Sequence, residues 1–283
     1  MFTTIVSSIA DVRAAVGVAR RSGKTVGFVP TMGALHAGHA GLIRMARSQN
    51  GFVVVSIFVN PTQFGPAEDL TKYPRTLEAD RQLCEAVGTD LIFAPSPETI
   101  YPDGFTTYVE VQGLQDGLCG PSRPGHFRGV ATVVLKLFNI VQPDVAYFGQ
   151  KDAQQALILQ QMVRDLDVPV KMEILPTIRE ADGLAMSSRN RYLDVVQRQQ
   201  AAVLYRALEA VKTLVASGER EIAPLEAKLR AEIAIAPLAR VDYAQILDAG
   251  TLQPIDTLKR QALAAVAVFF GKTRLIDNTL LTP

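Results

Sequence analysis

The sequence predicts an α/β protein: a Rossmann-like parallel-sheet domain over residues 1–177, followed by a smaller C-terminal α/β domain over residues 178–283. Three observations predict it. Apolar runs of strand length alternate with amphipathic stretches through the first two-thirds of the chain, the order that βαβ units around a parallel sheet produce. At 283 residues, 48% hydrophobic and 20% charged, the chain has material for one large or two medium domains with a buried core, and is too apolar for a disordered segment. After Pro176 the texture changes to helical spacing followed by short strands.

In order along the chain, segments 25–29, 52–59, 91–94, 145–148 and 170–175 are rich in β-branched and aromatic residues and read as strands. Between them, 41–48 reads as a helix, 77–87 as a helix ending at Gly88, and 130–141, nearly all apolar, as a buried helix stopped by Pro143. Segment 112–129 breaks this rhythm with five glycines and two prolines around Arg123, His126 and Arg128, and reads as a long loop of the kind that forms lids. Beyond 176, Ala201, Leu204, Tyr205, Leu208, Val211 and Val215 keep one helical face, Pro224 suits the first turn of a second helix, and 241–247, 262–269 and 274–276 read as strands. There is no internal repeat and no low-complexity tract.

Composition excludes several functions. Lys plus Arg number 29 against 28 Asp plus Glu, so no electrostatic footprint for nucleic acid or an anionic membrane is expected, and small-molecule partners are. The longest apolar runs, 52–59 and 262–270, fall short of the roughly 20 residues of a membrane helix, and the N-terminus lacks a basic and apolar leader, so a cytoplasmic protein is expected. Cys84 and Cys119 belong to no metal-ligand spacing, so no metal held by protein side chains is predicted, and they read as buried or incidental thiols.

Motifs remove further classes. GxGxxG is missing after every predicted strand, which argues against a dinucleotide oxidoreductase. Two Gly-Lys-Thr tripeptides, at 23–25 and 271–273, lack the glycine five positions earlier and read as turns. No GxSxG elbow exists for a serine hydrolase.

One constellation survives. Two of the three histidines, His36 and His39, lie in Pro30-Thr-Met-Gly-Ala-Leu-His-Ala-Gly-His39, between a predicted strand and helix. Such a turn presents backbone N–H groups and a helix dipole to an anion, while Gly33 and Gly38 leave room for a nucleotide to approach. Two imidazoles three apart share a helix face and can stabilise charge on a departing pyrophosphate. The same pair also reads as a simple helix cap. Three further polar clusters follow predicted strands: Asn60 to Gln63, Gly149-Gln150-Lys151-Asp152, and Met186-Ser187-Ser188-Arg189. Singly, Asn60 and Gln63 read at least as well as ordinary turn residues, Lys151 as a solvated charge opposite Asp152, and Ser187-Ser188 as a linker at the domain boundary. Jointly they occupy strand ends, the edge where open parallel sheets bind ligands.

On these residues the chain resembles the pantoate–β-alanine ligase family of the HIGH-motif nucleotidyltransferase superfamily. The resemblance runs through Pro30 to His39, Phe58-Val-Asn-Pro-Thr-Gln-Phe64, Tyr73-Pro-Arg75, Gly125-His-Phe-Arg-Gly-Val130, Phe148-Gly-Gln-Lys-Asp-Ala-Gln-Gln155 and Met186-Ser-Ser-Arg-Asn190, in the family's order. It implies ATP-dependent condensation of pantoate with β-alanine through pantoyl adenylate, with Mg²⁺ bound through the ATP phosphates, a homodimer, and a C-terminal domain that closes over ATP. Carried over by motif, Met32, Gly33, Ala34, Leu35, His36, Ala37, Gly38 and His39 contact ATP, as do Gly149, Gln150, Lys151, Asp152, Ile178, Met186, Ser187, Ser188 and Arg189. His39 matches the proton donor, His36 and Lys151 the phosphate ligands. Gln63 and Gln155 hold pantoate, Gln63 also meets β-alanine, and Asn60 joins the substrate site. The chain departs from the family pattern at Gln150, where a glutamate is common, and at Ala153, where an aromatic residue is. The 112–129 loop is expected to shield the adenylate from water.

Overall fold

A computed structural model describes residues 3–66, 68 and 70–283. The chain divides into two compact units: 1–115 with 120–149 and 155–176, and 177–283 with 116–119 and 150–154. Residues 150–152, placed by the sequence reading in the first domain, thus group with the second unit.

The first unit is built on β1 (Thr4–Val6), α1 (Ile9–Arg21), β2 (Val26–Thr31), α2 (Ala37–Gln49), β3 (Phe52–Ile57), α3 (Leu77–Ala86), β4 (Leu91–Phe93), the short α4 (Pro97–Ile100), α5 (His126–Val141), β5 (Val145–Gly149), α6 (Ala153–Asp165) and β6 (Lys171–Leu175). Its six strands form one sheet in the order β1-β4-β3-β2-β5-β6, every pair parallel. The order reverses between β2 and β5, the topological switch point where open α/β sheets leave a crevice outside the strands' carboxyl ends. Thr31 lies opposite Ile57, so β2 and β3 end level with one another.

Period-two alternation supplies the two cores. Val29, Val53, Val55, Ile92 and Tyr147 pack with Ile43 and Ala46 of α2 and Cys84 of α3. On the opposite face Phe28 and Phe148 meet Phe138 of α5, each pair edge-on with ring centroids 6.4 Å apart. Complete burial of side chains such as Phe28, Ile92 and Tyr147 contributes about 1.5–3 kcal/mol each.

The differences from the sequence reading have local causes. β1 and α1 escape it because a three-residue edge strand carries almost no alternation, and the α1 stripe is only Val12, Val16 and Ala19. β3 stops at Ile57 because Asn60, its side chain accepting from Thr62 N–H, opens a 3-10 turn at Pro61–Gln63. Residues 126–129, read as loop, form the first turn of α5, which starts after Gly125 at φ 78°. Both cysteines are free and buried; burial pushes the Cys84 thiol up to about 11.

The second unit contains α7 (Val195–Ala201), α8 (Val203–Ala216), α9 (Ile222–Ala234), β7 (Ala239–Asp248), β8 (Ala262–Phe270) and β9 (Thr273–Leu281), the strands forming an antiparallel sheet in sequence order. Ala264, Val266, Val268 and Phe270 pack against Leu204, Leu208 and Val211 of α8 and Leu225 and Leu229 of α9. Pro224 sits in the first turn of α9, as its missing N–H allows. β9 is longer than residues 274–276: its partner β8 pairs along its whole length, from Thr273 to Leu281.

Candidate active site

The turn from β2 into α2 is fixed by a carboxylate that the sequence does not advertise. Gly33 has φ +81° and Ala34 φ +50°, and a Cβ on Gly33 would lie 3.1 Å from both Asp80 Oδ2 and Ile57 Cγ2. Asp80, on α3 and 2% exposed, accepts from Ala34 N–H (3.0 Å) and Leu35 N–H (2.7 Å). Thr76 Oγ1 donates to the same carboxylate. These two main-chain donors, expected to face an anion, therefore face Asp80 instead.

What the turn presents is the imidazole pair. His36 is the N-cap of α2: its Nδ1 accepts from Gly38 N–H (3.1 Å), and His39 Nδ1 accepts from His36 N–H (3.3 Å), a reciprocal capping box made by two histidines. The rings stack tilted with centroids 4.1 Å apart. The capping role and a functional role are thus compatible. Because each Nδ1 is an acceptor, each neutral ring carries its proton on Nε2. Ala37 and Gly38 form the first helical turn between them.

At the end of β3, Asn60 is 1% exposed and its carboxamide is wholly engaged by protein. Oδ1 accepts from Tyr101 OH (2.8 Å), Thr62 Oγ1 (2.9 Å) and Thr62 N–H, while Nδ2 donates to Gly129 O (3.2 Å) and Gln63 Oε1 (3.1 Å). That fixes the Gln63 amide with Nε2 directed at Met32 Sδ, 2.9 Å away, a weak acceptor that an oxygen ligand displaces readily. Met32 and Gln63 are therefore brought together. Gly129 permits this arrangement, since a Cβ there would stand 2.4 Å from Thr62 O. Beside them a cavity of about 250 Å³ opens at the ends of β2, β3 and β4, lined by Met32, Gly33, Phe58, Val59, Arg75 and Asp80 among others. Gln155 stands half-buried in the first turn of α6, on the same unit.

In the second unit the 3-10 turn Gln150–Asp152, which follows Gly149 at the end of β5, is fastened by Asn278 of β9. Asn278 Nδ2 donates to Gln150 O and Lys151 O, both at 2.9 Å, and its Oδ1 accepts from Gln150 Nε2 at 3.1 Å. That last bond requires an amide at position 150: a glutamate there would set a carboxylate against Oδ1. Lys151 Nζ lies 3.7 Å from Asp152 Oδ2. Ile178 and Met186 pair across a short hairpin, Met186 N–H donating to Ile178 O at 3.0 Å. Ser187 caps the turn Ser188–Tyr192, its Oγ accepting from Arg189 N–H. Beneath the hairpin, Arg179 pairs with Asp277 at 2.6 Å; burial raises the Asp277 carboxyl despite that partner. Both turns pack on β9, which gathers Lys151 and Ser187–Arg189 around one strand.

Asp80, Tyr101 and Asn278 were missed in the sequence. None belongs to a motif with the site residues it holds: Asp80 is 46 residues from Ala34, Tyr101 41 from Asn60 and Asn278 128 from Gln150. The segment from 112 to 125 is a strap fastened at two points: Gln154 Oε1 accepts from Cys119 N–H and its Nε2 donates to Gly117 O, and Arg123 binds Glu68.

The profile of the family described as pantoate-beta-alanine ligase matches residues 4–280. The chain is 56% identical over 277 residues to the pantothenate synthetase of Moorella thermoacetica, covering 98% of both chains, and 55% identical over 278 residues to that of Herpetosiphon aurantiacus, covering 98% and 99%. Among solved structures it resembles pantothenate synthetase from Thermus thermophilus with a TM-score of 0.94, at 48% identity and 99% coverage of each chain. It also resembles the Francisella tularensis pantoate-beta-alanine ligase complexed with beta-gamma ATP and beta-alanine, with a TM-score of 0.81, 36% identity and coverage of 98% and 97%.

Proposed function

The chain belongs to the pantoate–β-alanine ligase family, and from that premise we propose how its residues divide the reaction. The reaction is an ATP-dependent condensation. Pantoate's carboxylate attacks the α-phosphorus of ATP, pyrophosphate leaves, and the β-alanine amine then attacks the carbonyl of pantoyl adenylate, releasing AMP and a proton.

A carboxylate is already ionised at neutral pH, so the first step calls for charge neutralisation and alignment rather than a strong base. His39 donates through Nε2 to the phosphate that develops charge, and His36 and Lys151 bind phosphate oxygens. Met32 through His39, Gly149 through Asp152, Ile178 and Met186 through Arg189 make the ATP site, with Ser187, Ser188 and Arg189 gathering the phosphates. Gln63 and Gln155 hold pantoate, an uncharged diol apart from its carboxylate, to which carboxamides are suited. Asn60, its own amide engaged by protein, serves the substrate by orienting Gln63.

Mg²⁺ bound through the ATP phosphates belongs to the same proposal and rests on family kinship. There it would offset charge on the departing pyrophosphate. A C-terminal domain, 178–283, that closes over ATP and a cytoplasmic homodimer belong to the same proposal and rest on family kinship. Among the described residues no helix is long and apolar enough to cross a membrane.

The observation that carries this reading is the imidazole pair at the switch-point strand, each ring held by its Nδ1 so that Nε2–H is the donor. The test supplies ATP, Mg²⁺ and pantoate with and without β-alanine. Pyrophosphate formation requires pantoate, and AMP and the amide product appear together only when β-alanine is added. A protein that binds ATP and yields no AMP with both substrates present is a nucleotide sensor, not this ligase.

A further inference from the structure

The sequence Gly125-His-Phe-Arg-Gly contains the third histidine of the chain, to which the reaction above gives no role. His126 is 8% exposed at the start of α5. Arg123 Nη1 lies 2.9 Å from its Nε2, and a guanidinium can only donate, so Nε2 is the acceptor. The ring's proton is therefore on Nδ1, which donates to the main-chain oxygen of Gln63 at 2.8 Å. Arg123 Nη2 reaches the same oxygen at 3.3 Å. Arg123 is in turn held by Glu68 through two bonds of 2.7 Å. Burial favours the neutral carboxyl of Glu68, but the hydrogen bonds and charge of Arg123 hold that carboxyl below its ordinary range.

We propose that His126 is a positioning residue for pantoate: the chain Glu68–Arg123–His126 fixes one imidazole tautomer, and that tautomer pins the Gln63 carbonyl so that the Gln63 amide meets the substrate. The side chain of Gln63 is oriented from one side by Asn60 and its backbone from the other by His126. Neither contact touches the turn that carries His36 and His39. The consequence is a selective one: loss of the His126 donor loosens pantoate and leaves ATP alone. This inference rests on the assignment of Gln63 to pantoate.

Asparagine at 126 places an amide N–H where Nδ1 stood, whereas glutamine reaches only the Nε2 position. The experiment measures KM for pantoate, KM for ATP and the unfolding temperature for His126→Asn, His126→Gln and His126→Ala, with Gln63→Ala alongside. His126→Gln and His126→Ala are expected to raise the pantoate KM about tenfold, as loss of one hydrogen bond to a binding group does. The ATP KM stays within about twofold, and His126→Asn recovers most of the pantoate affinity. Equal impairment of the Asn and Gln variants, or a parallel rise in the ATP KM, overturns the proposal. The Asn and Gln variants are near-isosteric, so the comparison stands even where the alanine variant does not fold. If Gln63→Ala leaves the pantoate KM unchanged, the assignment of Gln63 itself is wrong. If Gln63→Ala weakens pantoate and His126→Gln does not, only the positioning role fails.

Discussion

The two turns that carry the side chains proposed for the ATP phosphates are fastened from opposite sides of the peptide group. In the first unit a buried carboxylate, Asp80, takes two main-chain N–H groups of the β2–α2 turn. In the second, a carboxamide, Asn278, donates to two main-chain carbonyls of the turn around Lys151. A turn whose early N–H groups are already bonded must meet an anion with side chains, the part proposed for the paired imidazoles. In a turn held by its carbonyls, the proposed phosphate ligand is instead a lysine ammonium, a compact point charge. The first turn is thus held through its N–H groups and the second through its carbonyls.

The strongest way to break this contrast is His39→Asn. The asparagine oxygen preserves the cap on His36 N–H and removes the Nε2 donor, so pyrophosphate release is expected to fall about a hundred-fold to ten-thousand-fold with the melting temperature nearly unchanged. Near-normal turnover would refute the imidazole as the directional donor.

Asp80→Asn comes next. One acceptor oxygen becomes a donor facing the N–H groups of Ala34 and Leu35, which should cost about 1–3 kcal/mol in urea unfolding and lower adenylation about tenfold or more. An unfolding free energy equal to the parent's would mean that the carboxylate does not hold the turn.

Asn278→Ala frees the carbonyls of Gln150 and Lys151, and the expected result is an ATP KM about tenfold higher with the pantoate KM unmoved. A change confined to pantoate would place Lys151 on the wrong substrate.

The smallest effect is one of pH. The folded carboxyl of Glu68 sits below its unfolded value, so its contribution to stability is complete above the ordinary carboxylate range and is lost as pH falls through the lowered folded value. Glu68→Gln should therefore reduce stability at neutral pH slightly and flatten the acid limb of the unfolding curve. An acid limb identical to the parent's removes Glu68 from the account.

Much of this was legible in the sequence wherever the signal is local. The alternation of strands and helices, the histidines between β2 and α2, and the polar clusters after β3 and β5 are patterns within a dozen residues of one another. The N-terminal strand and helix were not, because Thr4–Val6 is too short to show a period and is defined only by its parallel pairing with Leu91–Phe93. Asn60 illustrates a different limit. Its residue type suits a substrate ligand, yet Tyr101, Thr62 and Gly129 already satisfy its amide, and only folding brings those groups to it.

By itself the sequence determined the fold class and that the His36–His39 turn and the clusters at Asn60 and Lys151 follow strands, since periodicity follows from hydrophobic spacing; the Met186–Arg189 cluster, expected after a strand, lies instead on a hairpin and turn beyond β6. The tertiary structure decided which of their donors and acceptors remain for a ligand. Asp80 lies 46 residues from Ala34, and Asn278 127 residues from Lys151. Every polar group has many possible partners along an unfolded chain, and only the packing of the whole selects one.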